Sequence, residues 1–231
     1  MSKILFVLTG ADLWTLADGT QHPTGYWAEE VVVPYRAVKA AGHQVVVATP
    51  GGVVPPVDRA SLAAEANGGQ DKADEIARAV AEIAELREPV KLAEVDLGDF
   101  AAVFYPGGHG PMEDLAVDAD SGRLLVATLD SGKPLAVVCH GPAALLAAVR
   151  ADGSNAFAGY RAAAFTNEEE TQGGLAGQAK WLLQDRLTAA GVDVRPAEPW
   201  APHVVVDRNL ITGQNPASSA PVAEELLKLL G

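Results

Sequence analysis

The stretch Leu135-Ala136-Val137-Val138-Cys139-His140-Gly141-Pro142 decides the fold. Its first four residues are apolar, and such a run predicts a buried strand. Gly141 and Pro142 interrupt it, and the small apolar residues 143–149 predict a helix. A strand-to-helix turn of this kind lifts one side chain above the carboxyl edge of a sheet, beside free backbone N–H groups. Cys139 occupies that position.

Cys139 is the only cysteine among 231 residues. A helix dipole and the adjacent His140 would both favour the thiolate, so we predict a nucleophile with a lowered pKa. The alternative is a small buried hydrophobic residue, which is the commoner role of a lone cysteine.

Apolar strand patterns alternate with helical patterns along the chain. Strands are predicted over 3–8, 43–49, 101–105, 135–138 and 160–166, with a hairpin over 204–207 and 209–212; helices are predicted over 24–41, 73–86, 120–131, 143–149, 176–190 and 216–230. This alternation predicts an α/β protein with a doubly wound, mostly parallel sheet flanked by helices, flavodoxin-like, as a single domain over 1–231. In such sheets the site lies beyond the carboxyl ends of the strands.

Composition limits the partners and the compartment. The net charge of −13 argues against binding to nucleic acid or to an anionic membrane surface. The first apolar run, residues 4–8, is too short for a signal peptide, and no run has the length of a transmembrane helix. One cysteine forms no internal disulfide, so we expect a reducing compartment, the cytoplasm.

Glu30 is the candidate general acid–base. Trp27, Val31, Pro34, Tyr35 and Val38 form the apolar stripe of the first predicted helix. At about 100° per residue, Glu30 falls on the margin of that stripe and Glu29 nearly opposite its centre. A carboxylate at the edge of a buried face should have a raised pKa. A solvated acid near the helix start is the structural alternative, and we prefer it for Glu29.

A glycine-rich turn, Pro106-Gly107-Gly108-His109-Gly110, follows the strand over 101–105. Glycines here let the backbone approach a ligand and aim N–H groups at a developing oxyanion. We expect Gly108 to serve in this way. His109 either lines the pocket or makes a local hydrogen bond.

Three successive glutamates, Glu168, Glu169 and Glu170, offer a carboxylate to orient His140. Thr166 and Glu169 fit a helix capping box, and Glu168 fits a solvated helix start. Glu170 therefore remains as the candidate partner of His140. Trp200 and His203 either line a pocket or pack in the core, and we prefer the packing role.

The combination of motifs resembles the PfpI-type class I glutamine-amidotransferase-like superfamily. More narrowly, it resembles the heat-shock-protein-31-like branch, which contains the glutathione-independent glyoxalase III enzymes. The resemblance runs over nearly the whole chain. It rests on the cysteine turn, the glycine-rich turn and three further stretches: 24–30 with Pro34, 165–170, and 211–218.

The resemblance implies roles for individual residues. Cys139 matches the nucleophile, His140 its partner, Glu30 the first-helix acid and Glu170 the third member of the triad. The backbone of Gly108 and His140 would form the oxyanion hole. Homodimers are implied as well.

The expected function is a glyoxalase III, a lyase or isomerase of the D-lactate dehydratase type, which detoxifies methylglyoxal during stress. Its partner would be a small 2-oxoaldehyde, converted to a 2-hydroxy acid through a hemithioacetal on Cys139. No cofactor and no metal are expected, because metal-ligand spacings, a P-loop and a dinucleotide-binding fingerprint are missing.

Three alternatives stay open: a cysteine peptidase or amidase, a protein deglycase, and a stress holdase chaperone. A glutaminase is disfavoured because Val204 and Val205 follow His203, where glutamine amidotransferases complete their site with His-x-Glu.

Overall fold

The computed structural model describes residues 1–231, with strands and helices alternating along most of the chain. The strands are β1 (Lys3–Val7), β2 (Leu13–Thr15), β3 (Gln21–Pro23), β4 (Gln44–Thr49), β5 (Val90–Lys91), β6 (Ala102–Tyr105), β7 (Leu135–Val138), β8 (Arg161–Ala162), β9 (Asp193–Val194), β10 (Val204–Asp207) and β11 (Leu210–Gly213). The α-helices are α1 (Ala28–Ala40), α2 (Ala64–Asn67), α3 (Gln70–Glu82), α4 (Gly110–Glu113), α5 (Ala119–Ser131), α6 (Asn167–Gln172), α7 (Leu183–Ala189) and α8 (Ser219–Leu230).

Seven strands form the central sheet, in the order β10–β11–β7–β6–β1–β4–β5. All neighbours pair in parallel except β10 and β11. Every residue of β6 and β7 is buried, as expected for parallel strands covered by helices on both faces. The predicted fold class, a doubly wound and mostly parallel sheet flanked by helices, is confirmed.

The strand order reverses next to β1. From β1 the chain moves to β4 and β5 on one side, then returns to place β6 and β7 on the other side. Ligands of doubly wound proteins bind at this switch point, outside the carboxyl ends of the strands. The turns after β1, β6 and β7 all lie at this edge, so the topology gathers the motif-bearing turns there.

Several predicted elements differ in length, position or type from what their sequence patterns suggested. The first helix begins at Ala28 rather than at residue 24, and the helix predicted over 143–149 is a 3₁₀ helix, Gly141–Ala147. The strand predicted over 160–166 is reduced to β8, and only the second half of the helix predicted over 176–190 forms, as α7. None of the helices combines the length and the apolar character needed to cross a bilayer.

Candidate active site

Cys139 lies on a strained turn directly after β7. Its φ of 59° places it in the left-handed region, where a non-glycine residue costs about 1–3 kcal/mol. Two backbone hydrogen bonds hold the turn, from the Cys139 N–H to the Gly213 carbonyl and from the Phe165 N–H to the Cys139 carbonyl. The turn aims the sulfur at backbone N–H groups of Gly108 and His140, which favour the thiolate.

The Cys139 side chain nevertheless stays protonated. Burial raises its pKa above the ordinary value, and a charge on Glu30 would raise it further. These effects outweigh the two backbone N–H groups. The prediction of a lowered pKa is therefore wrong, because a cysteine that is 3% exposed loses more solvation than the turn can replace. Chemistry at this sulfur needs a base that removes the proton.

His140 is placed to be that base. Its Nδ1 lies 3.3 Å from Cys139 Sγ, and its Nε2 lies 2.7 Å from Glu170 Oε2. Burial, and then the neighbouring His109, lower the pKa of His140 and keep the ring neutral. A neutral ring that donates its Nε2–H to Glu170 has a lone pair on Nδ1, facing the thiol.

Glu170 is the member of the glutamate triplet that reaches His140. Glu168 is exposed, and Glu169 completes the predicted capping box with Thr166. The second oxygen of Glu170 lies 2.9 Å from Nε2 of His109. Burial alone would raise the pKa of Glu170, but hydrogen bonds from the His109 and His140 rings outweigh it and lower the pKa. The carboxylate therefore stays charged and can stabilise an imidazolium.

Glu30 is completely buried beside the cysteine. Its Oε2 accepts a 2.6 Å hydrogen bond from the Gly107 N–H, and its Oε1 has no hydrogen-bond partner. The carboxyl interacts with the Cys139 side chain. Burial raises the pKa of Glu30 to about 8, although the Gly107 N–H and Cys139 partly oppose the rise. The helical phase placed Glu30 at the margin of the apolar stripe; the structure places it fully inside, with Glu29 partly exposed.

The glycine-rich turn is packed too tightly for side chains. A Cβ on Gly107 would lie 2.6 Å from the His140 nitrogen, and one on Gly108 would lie 2.3 Å from the Gly25 carbonyl oxygen. Gly108 also has a φ of +84°. In return, the Gly107 carbonyl accepts a hydrogen bond from the Trp27 N–H at the start of α1. The turn and α1 are thereby fixed together, which holds Glu30 against the sulfur.

His109 both makes a hydrogen bond and lines the pocket. Its ring stacks on Trp14, with centroids 4.6 Å apart, and approaches His140 at 4.1 Å. The ligand atoms of His109, His140 and Glu170 lie within 4.8 Å of one another, a spacing that could hold a metal ion. The hydrogen bonds from both rings to the carboxylate also account for this arrangement without an ion.

A pocket of about 320 Å³ opens above Cys139. Trp200 lines it and is 46% exposed, so its interpretation as a packing residue is wrong. His203 instead contacts the Arg195 carbonyl through its Nε2, outside the pocket lining. Sequence reasoning missed the pocket roles of His22 and Trp27. Trp27 carried a signal, since it directly precedes the acid-bearing helix, whereas nothing local marked His22.

The fold and the site together define a class: doubly wound α/β proteins that carry a cysteine on a strained turn after a central strand, beside an acid from the first helix. The chain belongs to the DJ-1/PfpI family, which matches residues 23–229.

Individual relatives agree with this assignment. The protein/nucleic acid deglycase HchA of Staphylococcus aureus is 28% identical over 94% of this chain and 76% of its own length. The solved structure of Rapid Encystment Protein 24 KDa from Francisella tularensis has a TM-score of 0.87 and 26% identity, and covers 100% of both chains. Glyoxalase III from Candida albicans has a TM-score of 0.80 and 24% identity, with 99% of this chain and 97% of that chain covered.

Proposed function

We propose that this protein is a glyoxalase III that converts methylglyoxal or a related 2-oxoaldehyde to a 2-hydroxy acid, without glutathione. One observation carries the proposal: a fully buried carboxyl group with a raised pKa, Glu30, lies against the thiol of Cys139. A thiol alone suits many reactions. A second acid–base group at the sulfur suits a reaction that moves a proton on the carbon bound to that sulfur.

The first step is addition of the thiol to the aldehyde. As the Cys139 sulfur bonds to the aldehyde carbon, its proton passes to His140 Nδ1 and then to the new oxygen, giving a hemithioacetal. Glu170 stabilises the transient imidazolium through its 2.7 Å contact. The N–H groups of Gly108 and His140, which face the sulfur, are near enough to stabilise charge on that oxygen.

The second step moves a proton between neighbouring carbons. Ionised Glu30 removes the hydrogen from the hemithioacetal carbon, and the electron pair forms an enediolate. The hydroxyl proton on that carbon passes to the neighbouring oxygen, and Glu30 returns its own proton to the neighbouring carbon. The product is a 2-hydroxyacyl thioester on Cys139. Water then cleaves the carbon–sulfur bond, so one 2-oxoaldehyde and one water yield one 2-hydroxy acid and the free thiol. Glu30 suits both proton transfers because its pKa of about 8 lets it lose and regain a proton near neutral pH.

The test is lactate formation from methylglyoxal by purified protein, with no glutathione and with excess chelator. We expect turnover by the wild type and none by Cys139→Ala, with unchanged circular dichroism as the control for folding. Wild-type protein that forms no lactate, or a Cys139→Ala variant that keeps near wild-type activity, would overturn the proposal.

Deglycation is a second candidate, favoured by the 28% identity to the Staphylococcus aureus deglycase. The two functions differ in what limits the rate. A glyoxalase removes only free aldehyde, so it releases N-acetylarginine from its methylglyoxal adduct no faster than the adduct dissociates by itself. Release that rises with enzyme concentration beyond that spontaneous rate would support a deglycase.

A cytoplasmic location, a role in stress and a homodimeric state remain predictions that accompany this proposal. A negative lactate assay would leave the peptidase and holdase alternatives open. A holdase would also keep its action in Cys139→Ala.

A further inference from the structure

The pocket above Cys139 is larger than methylglyoxal requires. Its volume is about 320 Å³, at the lower end of the range for sites that hold drug-sized ligands. Methylglyoxal has only five non-hydrogen atoms. At a little less than the roughly 30 Å³ that one water molecule takes in the liquid, per atom, it occupies on the order of 100 Å³. Methylglyoxal bound at Cys139 would therefore leave room for a larger substituent, and Trp27, Phe165 and Trp200 are among the residues that line the same pocket.

Trp200 is held at the pocket in a strained conformation. Its φ is 62°, and the residue is 46% exposed although tryptophan is the largest apolar residue. Its backbone N–H donates to Glu169 Oε1 at 2.8 Å, and its indole Nε1 donates to Gln172 Oε1 at 2.6 Å. Strain of this kind persists where surrounding contacts fix it, and it concentrates at functional sites.

Phe165 connects Trp200 with the reacting groups. Its ring meets Trp200 edge to face, with centroids 5.5 Å apart, and lies 4.4 Å from the ring of His140. An aromatic substituent on a substrate bound at Cys139 would extend along this wall. Edge-to-face and offset arrangements of rings at such distances are favourable.

The charges of the lining favour a neutral substituent. No lysine or arginine lines the pocket, so nothing there would pair with an anionic tail. Its two carboxylates are already engaged: Asp58 accepts hydrogen bonds from Thr24 and Ala60, and Glu170 from two imidazoles. A neutral aromatic ring needs no charged partner in this lining.

We propose that the site takes 2-oxoaldehydes with an aromatic substituent, and that Trp200 determines this specificity by contacting the ring. The inference rests on the proposed function. The chemistry is unchanged: phenylglyoxal and one water would give mandelate through the same thioester on Cys139.

The experiment compares kcat/KM for phenylglyoxal with kcat/KM for methylglyoxal in the same variant, so that the intrinsic reactivity of each aldehyde cancels between variants. Trp200→Ala should lower the phenylglyoxal-to-methylglyoxal ratio by about 3- to 10-fold, the equivalent of one lost aromatic pair. Trp200→Phe should keep most of the ratio. Trp181→Ala is the matched control, because Trp181 is partly buried and stacks near Arg186 away from the pocket. An unchanged ratio in Trp200→Ala would overturn the proposal.

A binding measurement on the wild type separates this inference from the proposed function. Mandelamide and lactamide are neutral analogues of the two products that differ in the ring. We expect mandelamide to bind at least 10-fold more tightly in calorimetry. Equal affinities would overturn the aromatic specificity even if methylglyoxal is turned over. Tight mandelamide binding without turnover of either aldehyde would reject the reaction and keep the aromatic pocket.

Discussion

Replacing Glu30 with glutamine should change how the stability of the folded protein depends on pH. The pKa of the Glu30 carboxyl is about 8 in the folded state against 4.5 for an ordinary glutamate. Between these values the unfolded chain has released the proton and the folded chain has kept it. The folded state therefore binds more protons, and the free energy of unfolding falls as pH rises.

The magnitude follows from the size of the shift. Each pH unit inside this window costs about 1.4 kcal/mol. Glutamine has the same shape, can accept from the Gly107 N–H and does not titrate. We therefore expect the stability of Glu30→Gln relative to the wild type to increase by about 2–3 kcal/mol between pH 5.5 and 7.5.

Urea unfolding followed by circular dichroism at pH 5.5, 6.5 and 7.5 measures this difference directly. Other titrating groups, His140 among them, cancel because both proteins contain them. Glu168→Gln is the control, since Glu168 is exposed, and its difference from the wild type should stay constant. A constant difference for Glu30→Gln as well would refute the reasoning, because Glu30 would then ionise as readily in the folded protein as in the unfolded chain.

Three further predictions concern the reaction and the turn. Glu170→Gln should lower kcat/KM by about 10²-fold or more through loss of the charge that stabilises the imidazolium. Glu168→Gln should leave kcat/KM unchanged. A large loss in Glu168→Gln with none in Glu170→Gln would show that Glu170 is not the partner of His140. Gly108→Ala should abolish activity or folding, because its Cβ would lie 2.3 Å from a carbonyl oxygen. Gly132→Ala is the control, since Gly132 also has a positive φ but lies in open space, and it should lower the free energy of unfolding by only about 1 kcal/mol. Equal effects of the two substitutions would contradict the packing argument. Wild-type kcat should rise about tenfold per pH unit up to about 8 and then level off, since only ionised Glu30 removes the substrate proton; a flat profile from pH 6 to 7.5 would rule out Glu30 as the base.

The parts of the site that sequence could predict depend on short-range patterns. The strand, turn and helix around Cys139 are contiguous in the chain, and the phase of α1 separates Glu30 from Glu29 within one turn. The capping box likewise spans only Thr166 to Glu169. Local geometry determines all of these.

The remainder depends on contacts between distant parts of the chain. The pKa of the Cys139 thiol depends on how completely segments distant in sequence shield the sulfur from water. A local sequence pattern does not predict that burial. In the segment predicted as a helix from residue 176, the Gln178 carbonyl instead accepts a hydrogen bond from the Ala17 N–H. In the segment predicted as a strand from residue 160, the Ala163 N–H donates to the Thr212 side chain instead of to strand backbone, and the Phe165 N–H donates to the carbonyl of Cys139 in the turn after β7.

The most direct test of the proposed reaction compares Glu30→Gln with Glu29→Gln in methylglyoxal. If Glu30 moves the substrate proton, Glu30→Gln should form lactate about 10²–10⁴ times more slowly than the wild type. Mass spectrometry of the intact protein should still detect the aldehyde bound at Cys139, because addition needs only His140. Glu29→Gln should remain close to wild type. An active Glu30→Gln, or an inactive Glu29→Gln beside it, would contradict the assignment of Glu30 as the acid–base group.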